Sequence, residues 1–329
     1  MTTRTLAGHT VNPIGLGCMN LSHAYGTPPD ETSAIQLLQR AVELGCNHFD
    51  TATLYGFGAN ETLVGKALKP YRKQIFLASK CGMGGVNGQR VIDGRPATLK
   101  QQCEASLQRL QTDVIDLYYL HRWDKNIPIE ESVGALADLV QQGKIRAIGL
   151  SEVSAATLEK AHAVHPIAAV QTEYSLWTRN PEIAVLTKTR ELGAAFVAFS
   201  PLGRGFLGGS LHDVADLVEK DIRRPMPRFS AENYPKNLQL LTALQQLADQ
   251  AGCTLAQLSL AWLLAQQDNI LPIPGTVQIS HLAENLAAAE LNLDADLLQQ
   301  AGQLIHAQNV HGARYPAATQ AEIDTEEFA

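Results

Sequence analysis

Four residues within the first 121 positions have side chains suited to proton transfer: Asp50, Tyr55, Lys80 and His121. A tyrosine hydroxyl titrates near about 10 and needs help to exchange a proton around neutrality. A neighbouring ammonium favours the phenolate, and an imidazole can share the hydrogen bond. An unpaired buried ammonium is costly, so Lys80 calls for a carboxylate, and Asp50 is the natural partner. Taken alone, Asp50 and Lys80 are equally well explained by an ion pair that closes one end of a barrel. Tyr55 shifts the balance, because it follows Asp50 in the stretch DTATLYG (50–56).

The elements that must position these residues are legible as an alternation. Short apolar runs at 14–18, 48–50, 75–79, 114–120, 145–150, 168–172, 195–199 and 270–273 read as eight strands. Helical patterns fall between and after them at 32–44, 61–68, 99–110, 129–142, 155–162, 183–192, 238–251, 255–266 and 281–289. Glycine stops follow Leu44, Gln142 and Leu192. Strands separated by helices imply parallel βαβ units, and eight of them favour a closed (β/α)8 barrel, an α/β fold. Asp50, Lys80, His121, Ser151, Gln171 and Ser200 end or follow apolar runs, so they converge on the C-terminal rim where such barrels keep their chemistry. The segment 3–12 reads as a hairpin plugging one end. Long connections at 82–98 and 203–236 are candidate active-site loops, and the tail after Ala307 reads as irregular and able to close over the site. With no interdomain linker, 1–329 reads as one domain.

Composition narrows the function. The chain is 45% hydrophobic and 18% charged with a formal charge of −7, which speaks against a nucleic-acid-binding face. Residues 1–10 lack a secretory apolar segment, and no apolar run is long enough to span a membrane, so a cytoplasmic enzyme is expected. Cys18, Cys46, Cys81, Cys103 and Cys253 form no CxxC pair and read as free thiols, Cys81 as a buried spectator. No His or Cys spacing suggests a metal.

Over nearly its whole length the chain resembles the aldo-keto reductases. The resemblance is carried by GLGCM (15–19), FDTATLYG (49–56), ASK (78–80), DLYYLHRWD (116–124), GKIRAIGLSE (143–152), QTEYSLW (171–177), FSPLGRGFLGG (199–209) and PIPGT (272–276) with ENLAAA (284–289). HRWD and SPLGRGFLGG are most similar to the bacterial, fungal and plant branch with auxin-induced-protein-like and pyridoxal-reductase-like members. The resemblance implies carbonyl reduction to an alcohol by NADPH, with Tyr55 as general acid, Lys80 lowering its pKa, Asp50 pairing with Lys80, and His121 orienting the carbonyl.

It further implies that Ser151 and Gln171 bind the nicotinamide carboxamide, with Glu152 standing where many members have Asn. Phe199 stacks on the ring, and Ser200, Leu202 and Arg204 strap the pyrophosphate. Gly275, Thr276, Gln278, His281, Glu284 and Asn285 receive the adenosine end. Relatives often carry Lys or Arg where this chain has Gln278 and His281, which leaves NADH or dual use open beside NADPH. Met19, Tyr25, Leu54, Trp123 and Trp177 are expected as apolar walls of the substrate pocket. Arg223, Arg224 and Arg228 read by default as a solvated basic loop, with cofactor contact as the sharper alternative. The partner is a small carbonyl compound. Two other functions fit the same residues: an NAD-dependent sugar or alcohol dehydrogenase with Tyr55 as base, and a nucleotide-binding regulatory subunit like the potassium-channel β-subunits.

Overall fold

A computed structural model describes residues 3–86 and 88–328. Two short strands, β1 (Arg4–Leu6) and β2 (His9–Val11), form an antiparallel hairpin. The barrel wall is built from β3 (Leu16–Gly17), β4 (His48–Asp50) and β5 (Phe76–Cys81). A second hairpin, β6 (Met83–Val86) and β7 (Gln89–Ile92), interrupts the wall. The wall resumes with β8 (Ile115–Leu120), β9 (Ile145–Ser151), β10 (Ile167–Glu173), β11 (Ala195–Phe199) and β12 (Ile270–Pro272). All eight wall strands pair in parallel, in chain order once the hairpin is passed over. The sheet closes on itself, because Gly15 N–H donates to the Pro272 carbonyl at 3.0 Å and Gly17 N–H to that of Pro274 at 3.3 Å.

Side chains alternate along a strand, so one parity faces the barrel axis and the other the helices. The axial set includes Phe76 and Ala78 on β5, Leu117 and Tyr119 on β8, Ala169 on β10, Val197 on β11 and Leu271 on β12. Leu6 and Val11 of the first hairpin pack into this set, which shows the hairpin stoppering the N-terminal end. Continuing the same parity upward gives Lys80, His121, Gln171 and Phe199. The candidate catalytic residues are thus the top layer of the barrel interior, supported by a closed apolar stack. His48 lies in the interior on β4; burial pushes its imidazole down to about 4, and it packs as a neutral ring edge-on to Phe76 at 5.7 Å. The opposite parity, with Tyr118, Leu120, Val170 and Phe196, joins the larger core beneath the helices.

Two helices begin three or more residues earlier than expected. Pro96–Leu110 and Tyr234–Gln250 both carry proline in the first turn, where its missing N–H costs nothing. Helix Ala295–Leu304, capped by Asp294, was not anticipated. Among the described residues no helix is long and apolar enough to cross a membrane.

Candidate active site

The loop after β4 is held against β5 by backbone bonds: Thr51 N–H to the Ala78 carbonyl at 3.0 Å and Thr53 N–H to that of Lys80 at 3.1 Å. Tyr55 then opens a tight turn, Tyr55–Gly58, in which Gly56 and Phe57 take left-handed φ of 57° and 51°. This places the tyrosine ring over the barrel mouth. The fully buried Lys80 ammonium pairs with Asp50 Oδ1 and donates to the Thr51 carbonyl at 2.9 Å and the Tyr55 hydroxyl oxygen at 3.2 Å. Gln171 Nε2 donates to the other Asp50 oxygen at 2.8 Å. His121, anchored by its N–H to the Cys81 carbonyl at 2.8 Å, meets the Tyr55 ring edge-on at 5.8 Å.

Electrostatics assign protonation states. Burial raises the Tyr55 hydroxyl, and the opposing pull of Lys80 does not cancel it, so the group stands as a protonated donor. Lys80 therefore works against a larger upward push from desolvation. Burial also works against the Lys80 ammonium itself, but Asp50 and Tyr55 outweigh it and its pKa is raised. Burial, then Arg122 and Lys80, pushes His121 well down, leaving a neutral imidazole. Burial likewise pushes the Cys81 thiol far up, which fits an inert thiol.

Above this layer lies an elongated cavity of about 600 Å³. Tyr55, His121, Ser151, Gln171 and Phe199 line its deep end, with Met19, Tyr25 and Leu54 on the walls. Ser200, Leu202 and Arg204 line the middle, and Gly275, Thr276, Gln278, His281, Glu284 and Asn285 the far end. Asp50 and Lys80 lie just beneath the surface. Backbone geometry shapes the middle stretch, where Ser200, Gly203, Arg204 and Gly205 all have positive φ, a region glycine enters freely and other residues enter at a cost. At Gly275 the chains approach so closely that a Cβ would lie 2.3 Å from Asn20 Oδ1 and 2.9 Å from the Gly17 carbonyl. Helix Ile279–Ala287 starts at this end, and the Gln278 N–H donates to Thr276 Oγ1 at 3.0 Å.

Three expected placements differ. Glu152, at φ 56°, turns away from the cavity: its carboxylate pairs with Arg314 and accepts the Glu173 N–H at 3.0 Å. Trp123 does not line the cavity either; its indole donates to the Ile127 carbonyl at 2.8 Å, and Trp177 is buried against Phe206 and Phe229. The basic stretch is only in part a solvated loop, with Arg224 exposed, Arg223 half-buried and Arg228 buried. Arg223 pairs with Asp221 at 2.7 Å, Arg224 bonds the Leu217 and Val218 carbonyls, and Arg228 is buried, donating to the Trp177 carbonyl at 2.7 Å.

Arg204 lines the cavity, but its charge is already engaged by Glu173 at 2.6 Å and by the Tyr315 hydroxyl at 3.0 Å. Burial opposes its charge, yet Glu173, Tyr25 and Tyr315 more than compensate.

Several cavity residues escaped sequence reasoning: Asn20, His23, Met83, Arg90, Arg122 and Tyr315. Arg90 comes from the glycine-rich hairpin β6–β7, and Tyr315 from the tail. The tail does reach over the mouth. Pro316 and Thr319 line the cavity, Glu322 pairs with Arg90, and Asp324 accepts from Ser154 Oγ at 2.9 Å. Among the described residues, no group of three or more His, Cys, Asp or Glu could hold a metal ion.

The chain is 43% identical over 98% of its length to the NADP(+) aldo-keto reductase yakc of Schizosaccharomyces pombe, of which the match covers 96%. A probable aldo-keto reductase 1 of Glycine max is also 43% identical, over 94% of this chain and 89% of that protein. The fold superimposes with a TM-score of 0.85 on a glycerol dehydrogenase of Gluconobacter oxydans at 28% identity, covering 96% and 98% of the two chains. It superimposes at 0.73 on an aldo/keto reductase of Klebsiella pneumoniae solved with NADP and acetate, at 28% identity over 95% and 98%. The family model for aldo/keto reductases matches residues 13–305, spanning the strand-end residues and the cavity they floor, and the chain belongs to the aldo/keto reductase family.

Proposed function

We propose that the protein reduces aldehydes or ketones to alcohols with NADPH, with Tyr55 as the proton donor. The observation that carries this reading is the chain Asp50–Lys80–Tyr55, which ends in a protonated hydroxyl beside a neutral imidazole at the deep end of the cavity. A dinucleotide fits the rest of the cavity. Phe199 offers a half-buried ring near Gln171 and Ser151, the glycine-containing strap permits close backbone approach, and a helix N-terminus offers N–H groups for a phosphate. When bound, the nicotinamide supplies the hydride. Tyr55 gives its proton to the carbonyl oxygen, Lys80 stabilises the phenolate that remains, and Asp50 holds Lys80 in place. His121, neutral and able to donate, steers the carbonyl oxygen toward Tyr55. The likeness to an NADP(+) enzyme and to a structure solved with NADP supports the cofactor. The likeness to a glycerol dehydrogenase supports a reverse reaction in which Tyr55 serves as base.

Purified protein given NADPH and 4-nitrobenzaldehyde should consume NADPH, read as falling absorbance of the reduced cofactor. No turnover with NADPH or NADH, together with no quenching of tryptophan fluorescence by either, defeats the reading.

Cofactor choice tests the far end of the cavity. A 2′-phosphate gains most from the planar fork of an arginine, which Gln278 and His281 do not supply. The preference for NADPH over NADH should be modest, and Gln278→Arg with His281→Arg should tighten NADPH by about tenfold or more while NADH hardly changes. Dissociation constants for both cofactors decide the matter. Equal gains for both place the 2′ position elsewhere.

A further inference from the structure

The arginines that line the cavity are not equivalent. Arg204 is paired with Glu173, Arg223 with Asp221 and Arg90 with Glu322. Arg122 has no carboxylate within ion-pair distance among the described residues. It follows His121 directly and lines the cavity. Its Nη1 donates to the His121 carbonyl at 2.6 Å and to Ser151 Oγ at 3.2 Å, which fixes the plane of the guanidinium. Its Nε is buried, and neither Nε nor Nη2 has a hydrogen-bond partner among the described residues. Nε and Nη2 share one edge of the guanidinium, the side-on fork that accepts a carboxylate or phosphate through two parallel bonds. A buried donor left unmade costs free energy, so a ligand that completes this edge is favoured over one that does not.

The charge stands close to the chemistry. Arg122 acts electrostatically on both Tyr55 and His121, and Arg90 on His121. The only acidic residue among the described cavity-lining residues is Glu284, at the far end, where it accepts from the Thr254 hydroxyl at 2.5 Å. Met19, Leu54 and Met83 supply apolar surface beside the deep end. The deep end is therefore apolar on one side and positively charged on the other, with the charge uncompensated.

Resting on the reductase reading above, we propose that the substrate is a carbonyl compound bearing an anionic group, a carboxylate or a phosphate, held by the unpaired Nε–Nη2 edge of Arg122 while its carbonyl meets Tyr55 and His121. Arg122 is then a specificity-determining residue, supplying the counter-charge for the anionic group of the substrate.

The test compares acids with near-isosteric neutral esters. Wild-type protein should reduce 3- or 4-carboxybenzaldehyde with a kcat/KM at least about tenfold above that of the corresponding methyl ester. Glyceraldehyde 3-phosphate against glyceraldehyde tests the phosphate source in the same way, and whichever pair shows the larger ratio names the anion. Arg122→Met should bring the ratio close to one, and Arg122→Lys should restore part of it. A second readout needs no turnover: calorimetric titration of the protein with benzoate and with benzamide should show benzoate bound more tightly by wild type but not by Arg122→Met. Neutral partners reduced as well as their anionic counterparts by wild type, in both pairs, overturn the proposal whether or not the variant folds. So does an Arg122→Met variant that slows both partners equally and binds benzoate as before. Failure to reduce any aldehyde strikes the reductase reading instead, and the benzoate titration still decides whether Arg122 is an anion site.

Discussion

Replacing Tyr55 by Phe should lower kcat for aldehyde reduction by about a hundredfold or more while the NADPH dissociation constant stays nearly the same. The ring remains in place and only the proton donor is lost, and a positioned general acid contributes on that scale. Steady-state kinetics with a fluorescence titration of the cofactor separates the two effects, and a near-normal kcat removes Tyr55 from its assigned role. Lys80→Met complements it. Burial already raises the tyrosine hydroxyl, and Lys80 is the group pulling it down, so its removal lets the hydroxyl rise further. Alcohol oxidation, which needs the phenolate, should then move its pH profile upward. This variant also leaves Asp50 buried with only Gln171 as partner, so its stability has to be measured beside its kinetics.

The second large effect lies one layer outward, at Glu173. Its buried carboxylate accepts from Arg204 at 2.6 Å and Thr178 at 3.0 Å and lies 3.7 Å from Arg314 Nε. Glu173→Gln leaves these guanidiniums, with Arg228 nearby, facing one another short of a negative charge. Breaking a buried pair from one side costs about 3–5 kcal/mol, so the denaturant midpoint should fall clearly at a similar slope. Burial raises the Glu173 carboxyl, but Arg204 and Arg314 prevail and hold it below the usual carboxylate range. A carboxylate lowered in this way stabilises the fold above its unfolded pKa, and the contribution is lost as pH falls through the folded value. Wild type should therefore lose stability below about pH 4.5, with a smaller loss in Glu173→Gln. Adding Arg204→Met to the variant should recover part of the deficit, because it removes one of the uncompensated charges. An unchanged midpoint in the single variant shows that the remaining groups rearrange at little cost.

The barrel was readable because its strands are short and almost wholly buried, so each stands out as an apolar run ended by a polar residue. All eight fall within two residues of their expected bounds. The convergence of Asp50, Lys80 and His121 was readable for the same reason, since strand ends in a parallel barrel share one rim. Other features left weaker traces. The hairpin β6–β7 is glycine-rich and lacks the alternation of a half-buried strand, although Asn87-Gly88 is a hairpin turn signal. Helix Ala295–Leu304 had a readable cap in Asp294 and an apolar face. The pairing of Glu152 with Arg314, 162 residues away, had no local signature. Nor did the engagement of Arg204 by Glu173, and only the closed fold turns Glu152 from a cofactor contact into a tether for the tail. Arg122 was visible in HRWD, but its open edge depends on where Ser151 and the His121 carbonyl stand.

On the ribosome, the stopper and the mouth of this barrel have opposite fates. Leu6 and Val11 are made before the wall strands that will enclose them. Arg314, which neutralises Glu152 and approaches Glu173, is made after every strand of the barrel wall has been synthesised. The wall and its stopper can thus assemble while the mouth is still missing a counter-charge. A chain cut short after helix Ala295–Leu304 keeps all eight strands but lacks Arg314 and Tyr315, and with them part of the polar frame that holds Arg204 over the cavity.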